Sequence, residues 1–240
     1  MISVIIPTFN EEKVIASTIA KLKSALTLEH EVIVSDSMSK DKTMEIARKY
    51  ADSVVILSGP GKLTIAKNRN NGARSARGEF LVFLDSDCVI NDVDNSLRRC
   101  LSNFEKDKNL MAITGGLRVF PEYETRADRI FFGLTNLVER LDNNVLHRGE
   151  AAGKFQMIRR EAFEKLGGFR EDLVTREDSD MFLRLSKIGR TFFDPAITVF
   201  HQGRRAHAMG WPKLLSIWMV NTVWVALFNK AVTKEWKPIR

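Results

Sequence analysis

Four short apolar segments alternate with helical segments through the first 84 residues. The apolar segments cover residues 2–6, 32–34, 54–57 and 80–84. Residues Ile15, Ile19, Leu22 and Leu26 recur at helical spacing between the first two of them. This alternation predicts βαβ units with right-handed crossovers, and therefore an α/β fold whose mixed, mostly parallel sheet is flanked by helices.

The boundaries of these elements follow from local signals. Pro7 lacks a backbone N–H, which predicts that the first strand ends there. Asn10, Glu11 and Glu12 are typical of a helix N-terminus. Further helices are predicted at residues 41–50 and 64–77, the second after the break at residues 59–61.

The fourth apolar segment ends in two carboxylates, Asp85 and Asp87. Aspartate disfavours strand interiors, so we expect the strand to end at Leu84. Residues two apart in an extended segment point the same way, so both acids are expected to face one pocket. Two like charges held together need a cation, and a hard divalent metal completed by substrate phosphates suits them. The alternative is a polar loop with two exposed acids.

Polar clusters follow three of the predicted strands, at residues 8–11, 36–39 and 85–87. Ligands of parallel α/β sheets bind outside the carboxyl ends of the strands. If these strands are neighbours, the three clusters converge on one crevice, which is the physical argument for a site.

The second half of the chain is less regular. A strand is predicted at residues 111–119 and another at 155–158, with helices at 97–104 and at 160–166, the latter ended by Gly167 and Gly168. Residues 126–141 predict an amphipathic helix. Its apolar face is formed by Ile130, Leu134, Leu137, Val138 and Leu141. An acidic cluster at residues 177–180 opens a further helix.

Composition narrows the partners. The 37 basic and 30 acidic residues give a net charge of +7, which suits nucleotide phosphates or an anionic membrane surface. No basic stripe is interleaved with aromatic residues, so we expect no nucleic-acid partner. Cys88 and Cys100 form no disulfide framework, and the chain starts directly with a strand, so we expect a cytoplasmic protein.

Taken together, these segments resemble the GT-A fold, family 2 glycosyltransferases, which are inverting transferases that use nucleotide-sugar donors. The resemblance covers residues 1 to about 203. It rests on six segments in the family's order: residues 4–11, 34–37, 68–73, 83–87, 167–169 and 177–180. We therefore expect a GT-A glycosyltransferase domain at residues 1–205 and an apolar, basic helical extension at residues 206–240.

The resemblance implies a role for each matching residue. The predicted nucleotide-binding residues are Pro7, Thr8, Asn10, Glu11, Asp36, Asn68, Arg69, Asp85 and Ser86. Among these, Asp36 is expected to bind the base or ribose, and Asn68 and Arg69 the nucleotide or its phosphates. Asp85, Ser86 and Asp87 match the family's Asp-x-Asp, with Asp87 as a direct ligand of Mn²⁺ or Mg²⁺. The loop at residues 35–41 departs from the family's commoner acidic, glycine-containing form, so UDP- and GDP-linked donors both stay open.

The reaction implied by the resemblance needs a base and a stabilised leaving group. Asp178 occupies the place of the general base, and its neighbours Glu177 and Asp180 are expected to raise its pKa. The metal would stabilise the leaving diphosphate. The acidic run also suits a helix N-terminus beside the macrodipole, and the two roles are compatible.

Other residues near the predicted site keep two interpretations. His201 is either a third metal ligand, as in some relatives, or a structural histidine, and His147 and His207 have weaker claims. Arg204 and Arg205 either contact a phosphate or form a solvated basic loop.

The segment at residues 211–228 is apolar over about fifteen residues, short of the roughly 20 that span a bilayer. It is flanked by Lys213, Lys230, Lys234 and Lys237. Such a helix is predicted to lie on an anionic membrane surface at the cytoplasmic face, which would suit a lipid-linked acceptor such as a polyprenyl phosphate. A helix packed on the core or on a second subunit, and part of a transmembrane hairpin, are the alternatives.

Three classes of function are compatible with parts of this sequence pattern. The first is an inverting, metal-dependent glycosyltransferase. The second is a non-catalytic nucleotide-sugar-binding or scaffold protein on the same fold, which would need no base at Asp178. The third, a nucleotidyltransferase, would need a glycine-rich basic loop after the first strand, whereas residues 8–12 are acidic.

Overall fold

The computed structural model describes residues 1–59, 62–228 and 232. Within those residues, eight strands form one sheet. The strands are β1 (Ile2–Thr8), β2 (His30–Asp36), β3 (Ser53–Ile56), β4 (Phe80–Leu84), β5 (Cys88–Ile90), β6 (Leu110–Val119), β7 (Phe155–Arg159) and β8 (Arg190–His201). The helices are α1 (Ile15–Ala25), α2 (Thr43–Tyr50), α3 (Ile65–Arg74), α4 (Val93–Lys106), α5 (Arg126–Asn144), α6 (Arg160–Lys165), α7 (Glu177–Leu185), α8 (Arg204–Met209) and α9 (Trp211–Phe228).

The order of strands in the sheet is β3-β2-β1-β4-β7-β6-β8-β5. The neighbours β3, β2, β1 and β4 are parallel, as are β6 and β8. Strand β7 runs antiparallel to β4 and β6, and β5 runs antiparallel to β8. The predicted α/β fold with a mixed, mostly parallel sheet is therefore confirmed, and the ends of β2, β1 and β4 lie side by side.

Both faces of the sheet are buried, which explains why its strands are continuously apolar. Val4 and Ile6 pack into one core with helices α1, α2 and α4, while Ile5 packs into a second core with α3, α6 and α7. Successive strand residues alternate between the two faces.

Helix α3 lies unusually close to the sheet. A Cβ atom at Gly72 would lie 2.5 Å from Cγ2 of Ile5, so only glycine permits this approach. The start of α3 is capped by Thr64, whose hydroxyl accepts a hydrogen bond from the N–H of Lys67 at 3.2 Å. The close packing brings Asn68 and Arg69 to the carboxyl end of the sheet.

Two predicted boundaries were wrong. Strand β1 continues through Pro7 to Thr8, and because its pairing with β4 ends at Ile5, the missing N–H removes no hydrogen bond on that side. The helix predicted to begin near Asn10 begins at Ile15. Asn10 adopts a left-handed conformation (φ 55°), which breaks the chain direction before the helix.

Helix α5 forms as predicted, but its apolar face points outward. The five apolar residues predicted on that face are 44–66% exposed, whereas Asp128, Phe132, Glu139 and Asn143 are buried. The outward face therefore consists of apolar side chains with no covering element among the described residues.

Helix α9 is anchored at its start and exposed along its outer side. Leu214 is buried, and the rings of Trp211 and Trp218 pack on Phe131 of α5. The exposed apolar residues of α9 are Leu215, Met219, Val220, Val223, Trp224 and Phe228. No helix in the described part of the chain is both long and apolar enough to cross a bilayer. Lys230, Lys234 and Lys237 lie outside the described residues, and the expected domain boundary at 205/206 falls within α8.

Candidate active site

The ends of β1 and β2 are joined by a buried carboxylate. Asp36 is fully buried, and its Oδ2 accepts a hydrogen bond from the Thr8 hydroxyl at 2.8 Å. Its other oxygen accepts from the N–H of Ser39 at 2.8 Å, and the Ser39 hydroxyl donates to Oδ2 at 2.6 Å. Asp36 thus fixes the loop after β2, and a carboxylate with about four lone-pair sites keeps capacity for one more donor.

Asn68 and Asn10, which are also predicted to bind nucleotide, connect the loops that follow β1 and β2. Asn68 donates to the carbonyl of Thr8 at 3.1 Å and accepts from the Ser35 hydroxyl at 2.7 Å. Asn10 donates from its backbone N–H to the Ser39 hydroxyl at 2.7 Å. These bonds hold the loops after β1 and β2 together below the crevice.

Pro7 and Ser86, two further residues predicted to bind nucleotide, are buried near the ends of β1 and β4. Pro7 is buried in β1, opposite Ser35 of β2. Ser86 is buried in the turn after β4, where its carbonyl accepts from the Thr18 hydroxyl at 2.7 Å. The contacts described for both residues involve their main-chain atoms.

Three cations surround Asp85 and Asp87. Lys154 Nζ lies 3.4 Å from Asp85 Oδ2 and 3.2 Å from Asp87 Oδ1. Arg204 Nη2 lies 3.0 Å from Asp87 Oδ2, and its Nη1 lies 3.0 Å from Glu11 Oε2. Arg69 Nη2 lies 3.0 Å from Asp85 Oδ1. The two acids therefore share one cation, Lys154, and Arg204 contacts Asp87 and Glu11 rather than forming a solvated loop.

The pKa values of Asp87 and Lys154 depend on the opposite charges that lie next to each of them. Burial by itself would raise the pKa of Asp87, but Lys154 and Arg204 outweigh it and hold that pKa well below the usual range. Burial opposes the charge of Lys154 too, and the Asp87 carboxylate overcomes it, raising the pKa of the ammonium. Both groups are charged at neutral pH.

His201 ends β8 beside this cluster and is buried. Its Nδ1 accepts a hydrogen bond from the N–H of Gly203 at 3.0 Å, while Nε2 has no hydrogen-bond partner in the described part of the chain. Burial and the Lys154 ammonium lower its pKa to about 3, so the ring is neutral. Because Nδ1 accepts a hydrogen bond, the proton of the neutral ring is assigned to Nε2.

Two carboxylates at the rim of a crevice suit a hard divalent cation whose remaining ligands come from substrate phosphates and water. Asp85 and Asp87 provide that donor set. The described residues bring together no group of three or more His, Cys, Asp or Glu side chains around one point. The assignment of His201 as third ligand stays a prediction.

Arg69 links the Asp-x-Asp to Glu177, the residue before the predicted base Asp178. Its Nη1 lies 2.8 Å from Glu177 Oε1, and its Nη2 donates to the carbonyl of Gly153 at 2.7 Å. The side chain is only 2% exposed and also reaches Asp85, as described above. One guanidinium thus spans the two acidic motifs, which are about ninety residues apart in the sequence.

Asp178 is half-buried in the first turn of α7. Its Oδ1 accepts from the N–H of Ser179 at 2.8 Å. The N-cap residue of α7 is Arg176, and no side-chain capping bond is present there. Burial and the Asp178 carboxylate raise the pKa of Glu177, against the opposing effect of Arg69. The acidic run therefore occupies the first turn of α7 without capping it.

Gly153 permits this arrangement. A Cβ atom there would lie 2.6 Å from Arg69 Nη2 and 2.9 Å from Asp178 Oδ2. Any larger residue would displace one of these two groups, so Gly153 determines how closely the Asp-x-Asp and the base approach each other.

A second layer of acids lies behind Asp178. Burial raises the pKa of Glu139 well above its usual value, and the nearby Glu150 and Asp178 add to the effect. Burial also raises the pKa of Glu150, although Arg176 and the Ser179 hydroxyl bind its carboxylate. The pKa of each of these acids is raised, whereas that of Asp87 is lowered.

Lys154, Gly153 and Glu139 were missed by sequence reasoning. Lys154 precedes β7, whose antiparallel pairing sets Phe155 opposite Leu84 and brings the Lys154 carbonyl within 3.3 Å of the Asp85 nitrogen. The sequence signal was weak, since a predicted strand after Gly153 does not reveal its partner. His207 and His147 bind Asp128 and the Asn143 carbonyl, respectively, which gives both a structural contact.

Comparisons with known proteins show the family and the fold. Residues 3–167 match the family described as glycosyl transferase family 2. The O-antigen chain rhamnosyltransferase WbaN of Salmonella anatum is 31% identical over 169 residues, which cover 66% of this chain and 52% of that protein. The chain thus spans about half the length of this relative.

Two solved structures share the fold. The mannosyltransferase PcManGT from Pyrobaculum calidifontis, in complex with GDP-Man and Mn²⁺, has a TM-score of 0.66 at 21% identity, over 84% of this chain and 56% of that one. TarS of S. aureus, in complex with UDP-GlcNAc, has a TM-score of 0.62 at 20% identity, over 98% and 68%. With the family match covering more than half of its length, the chain belongs to glycosyl transferase family 2.

Proposed function

We propose that this protein transfers a sugar, with inversion, from a UDP- or GDP-linked donor to an acceptor hydroxyl or phosphate. The observation that carries the proposal is the position of Arg69, which binds Asp85 on one side and Glu177 on the other. It connects the acidic pair suited to a donor diphosphate with Glu177, whose chain neighbour Asp178 is the carboxylate suited to deprotonate an acceptor. A crevice that only bound nucleotide sugars would need the first and not the second.

The proposed roles follow the chemistry of direct displacement at the anomeric carbon. Asp178 takes the proton from the acceptor as the bond to the sugar forms and the bond to the diphosphate breaks. Arg204 and Lys154 lie where they can neutralise charge that develops on the leaving diphosphate. Mn²⁺ or Mg²⁺ held by Asp85 and Asp87 would supply Lewis-acid stabilisation of the same charge. His201 could join them as the predicted third ligand only once its Nε2 has lost the proton assigned to it above.

We propose that residues at the ends of β1 and β2 recognise the nucleotide of the donor. Thr8, Asn10 and Asp36 lie at adjoining strand ends and are expected to contact the base or ribose. PcManGT was solved with GDP-Man and TarS with UDP-GlcNAc, so the fold serves either nucleotide. We propose a nucleotide-sugar donor and leave the base to experiment.

A lipid-linked acceptor at an anionic membrane surface is proposed from the outer faces of α5 and α9. Their exposed apolar side chains are accompanied by Arg126, Arg129, Arg140 and Lys213. Apolar residues with nearby cations are typical of helices that lie in the headgroup region of a bilayer. This surface would present the crevice to a polyprenyl phosphate.

The test of the donor site is a calorimetric binding panel of UDP- and GDP-sugars, with and without Mn²⁺, for the wild type and Asp87→Ala. We expect one donor to bind in a metal-dependent manner and the variant to lose that binding. NMR of the product formed from that donor would establish the anomeric configuration. If no donor bound under either condition, the transferase proposal would fail. Donor binding without transfer to any acceptor would favour the non-catalytic alternative.

The membrane contact is tested separately by cosedimentation with phosphatidylglycerol and phosphatidylcholine vesicles. We expect binding to the anionic vesicles, weakened by Leu134→Glu on α5 and by Met219→Glu on α9. Lys108→Glu, at an exposed position in the loop before β6, serves as a control for the change of charge alone. Equal sedimentation of wild type and apolar-face variants would overturn this part of the proposal and leave the donor site intact.

A further inference from the structure

We propose that Lys154 is a built-in counter-cation that occupies the bridging position between Asp85 and Asp87 and competes there with a divalent metal ion. In the donor-free protein this lysine would keep metal affinity low. When a nucleotide diphosphate binds, Lys154 would move to the phosphate oxygens and leave the carboxylates to the metal. The inference rests on the proposed metal site, and its test separates the two.

The geometry shows one ammonium contacting both acids. Lys154 Nζ lies within 3.4 Å of one oxygen of Asp85 and within 3.2 Å of one oxygen of Asp87. The second oxygen of Asp85 is bound by Arg69, and the second oxygen of Asp87 by Arg204. Every carboxylate oxygen of the pair therefore faces a cation, and the bridging position belongs to Lys154.

The local charge disfavours a metal ion on its own. The directly paired groups are the carboxylates of Glu11, Asp85, Asp87 and Glu177 and the cations Arg69, Lys154 and Arg204. Asp178 also lies beside Arg69, so the wider cluster is net negative. At the two carboxylates themselves, however, a divalent ion added alone would meet three cations, whereas a diphosphate bound with it would offset that repulsion.

Of the three cations, Lys154 is the one able to move. Arg69 is 2% exposed and fixed by Asp85, Glu177 and the Gly153 carbonyl. Arg204 is held by Glu11 and Asp87 together. Lys154 is 28% exposed, contacts the carboxylates of Asp85 and Asp87 within the described part of the chain, and carries its charge on a flexible four-carbon stem.

The test measures Mn²⁺ binding to donor-free protein by the EPR signal of free Mn²⁺, for the wild type, Lys154→Met and Lys154→Gln. We expect both variants to bind Mn²⁺ about tenfold more tightly than the wild type, because a like charge has been removed from the site. Lys108→Met is the matched control and should leave the affinity unchanged.

Two further measurements sharpen the result. In thermal melts, Mn²⁺ should raise the Tm of Lys154→Met more than that of the wild type, because the ion replaces the missing counter-charge. With Mn²⁺ present, UDP or GDP should bind Lys154→Met about fivefold more weakly, because one phosphate contact is lost.

Each outcome supports or overturns the proposed competition between Lys154 and the metal ion. Mn²⁺ affinity of the Lys154 variants that is equal to or lower than that of the wild type would overturn the competition. If the wild type bound no Mn²⁺ even with UDP or GDP, metal assistance in the proposed function would fail. In that case Mn²⁺ binding by Lys154→Met would still support the competition, and its absence would overturn it.

Discussion

Two groups of acids near the candidate site differ in how burial and neighbouring charges shift their pKa values. Asp85 and Asp87 are surrounded by Arg69, Lys154 and Arg204, and the pKa of Asp87 is well below its usual range. Glu139 and Glu150 are buried with fewer cations, and their pKa values are raised.

The difference shows how neighbouring charges decide the direction in which burial shifts the pKa of a carboxyl group. Paired cations keep a carboxylate ionised despite burial, whereas burial beside other acids favours the protonated form. The first environment suits binding of a charged ligand, and the second suits retention of protons around a base. Asp178 lies between them, next to Gly153.

The largest effect is expected from Asp178→Asn. Removing the proposed base should lower kcat at least about 10³-fold and change donor affinity by less than about twofold. Asp180→Asn, on the same turn but bound to Arg184, is the control and should change kcat by less than about threefold. Steady-state kinetics with calorimetric donor binding would check both. Equal losses in the two variants would assign the acidic run a structural role.

Arg69→Met should break the bridge between the two acidic motifs. It would leave the buried Glu177 without its cation and Asp85 with Lys154 alone, at a cost of about 3–5 kcal/mol in the free energy of unfolding. Arg74→Met, at the exposed end of the same helix, should cost less than about 0.5 kcal/mol. Urea denaturation measures both, and similar values would mean that the bridge contributes little to stability.

Gly153→Ala should disturb the geometry more than the stability. The added methyl group must displace Arg69 or Asp178, so we expect kcat to fall about ten- to hundredfold. Gly133→Ala on α5 is a suitable control, because a Cβ atom there meets no atom within 4 Å. Unchanged kcat in Gly153→Ala would show that the two motifs need not approach so closely.

Glu139→Gln should change the pH dependence of stability, because Glu139 is a buried acid whose pKa is raised. The folded pKa of Glu139 is raised, so its protonated form stabilises the protein below about pH 4, and that contribution is lost as the pH rises toward the folded pKa. Glutamine does not titrate. The variant should therefore be similar to the wild type in stability at pH 4 and become more stable than it as the pH rises. Glu105→Gln, at an exposed position, should show no such pH dependence.

The sequence allowed the strands and their polar ends to be predicted because apolar runs and terminal acids are local signals. Asp36 and Asp85 could be placed in one crevice because β2, β1 and β4 follow the ordinary rules for parallel sheets. Lys154 could not, because its approach to Asp85 depends on the antiparallel pairing of β7 with β4. The role of each site residue remains a prediction.

The surfaces were harder to predict than the interior. Periodicity indicated the helix at α5, but it did not indicate whether the apolar face of that helix points to the core or outward. Burial of Asp128 on the opposite face follows from its bonds to His207 and Trp211, which are about eighty residues further along the chain. Asn10 was misjudged for a related reason, since its left-handed conformation is fixed by contacts to Ser39 and Lys40.

The contact between Arg204 and Glu11 joins residues 193 positions apart in the chain. Arg204 also holds Asp87, so the crevice is complete only when segments from both ends of the fold have come together. Contacts of such high sequence separation form late, because the entropy of closing the intervening loop must be overcome first. During refolding we would therefore expect nucleotide binding to return after the far-UV signal of the first strands and helices, which makes ligand binding a reporter of the last step of folding.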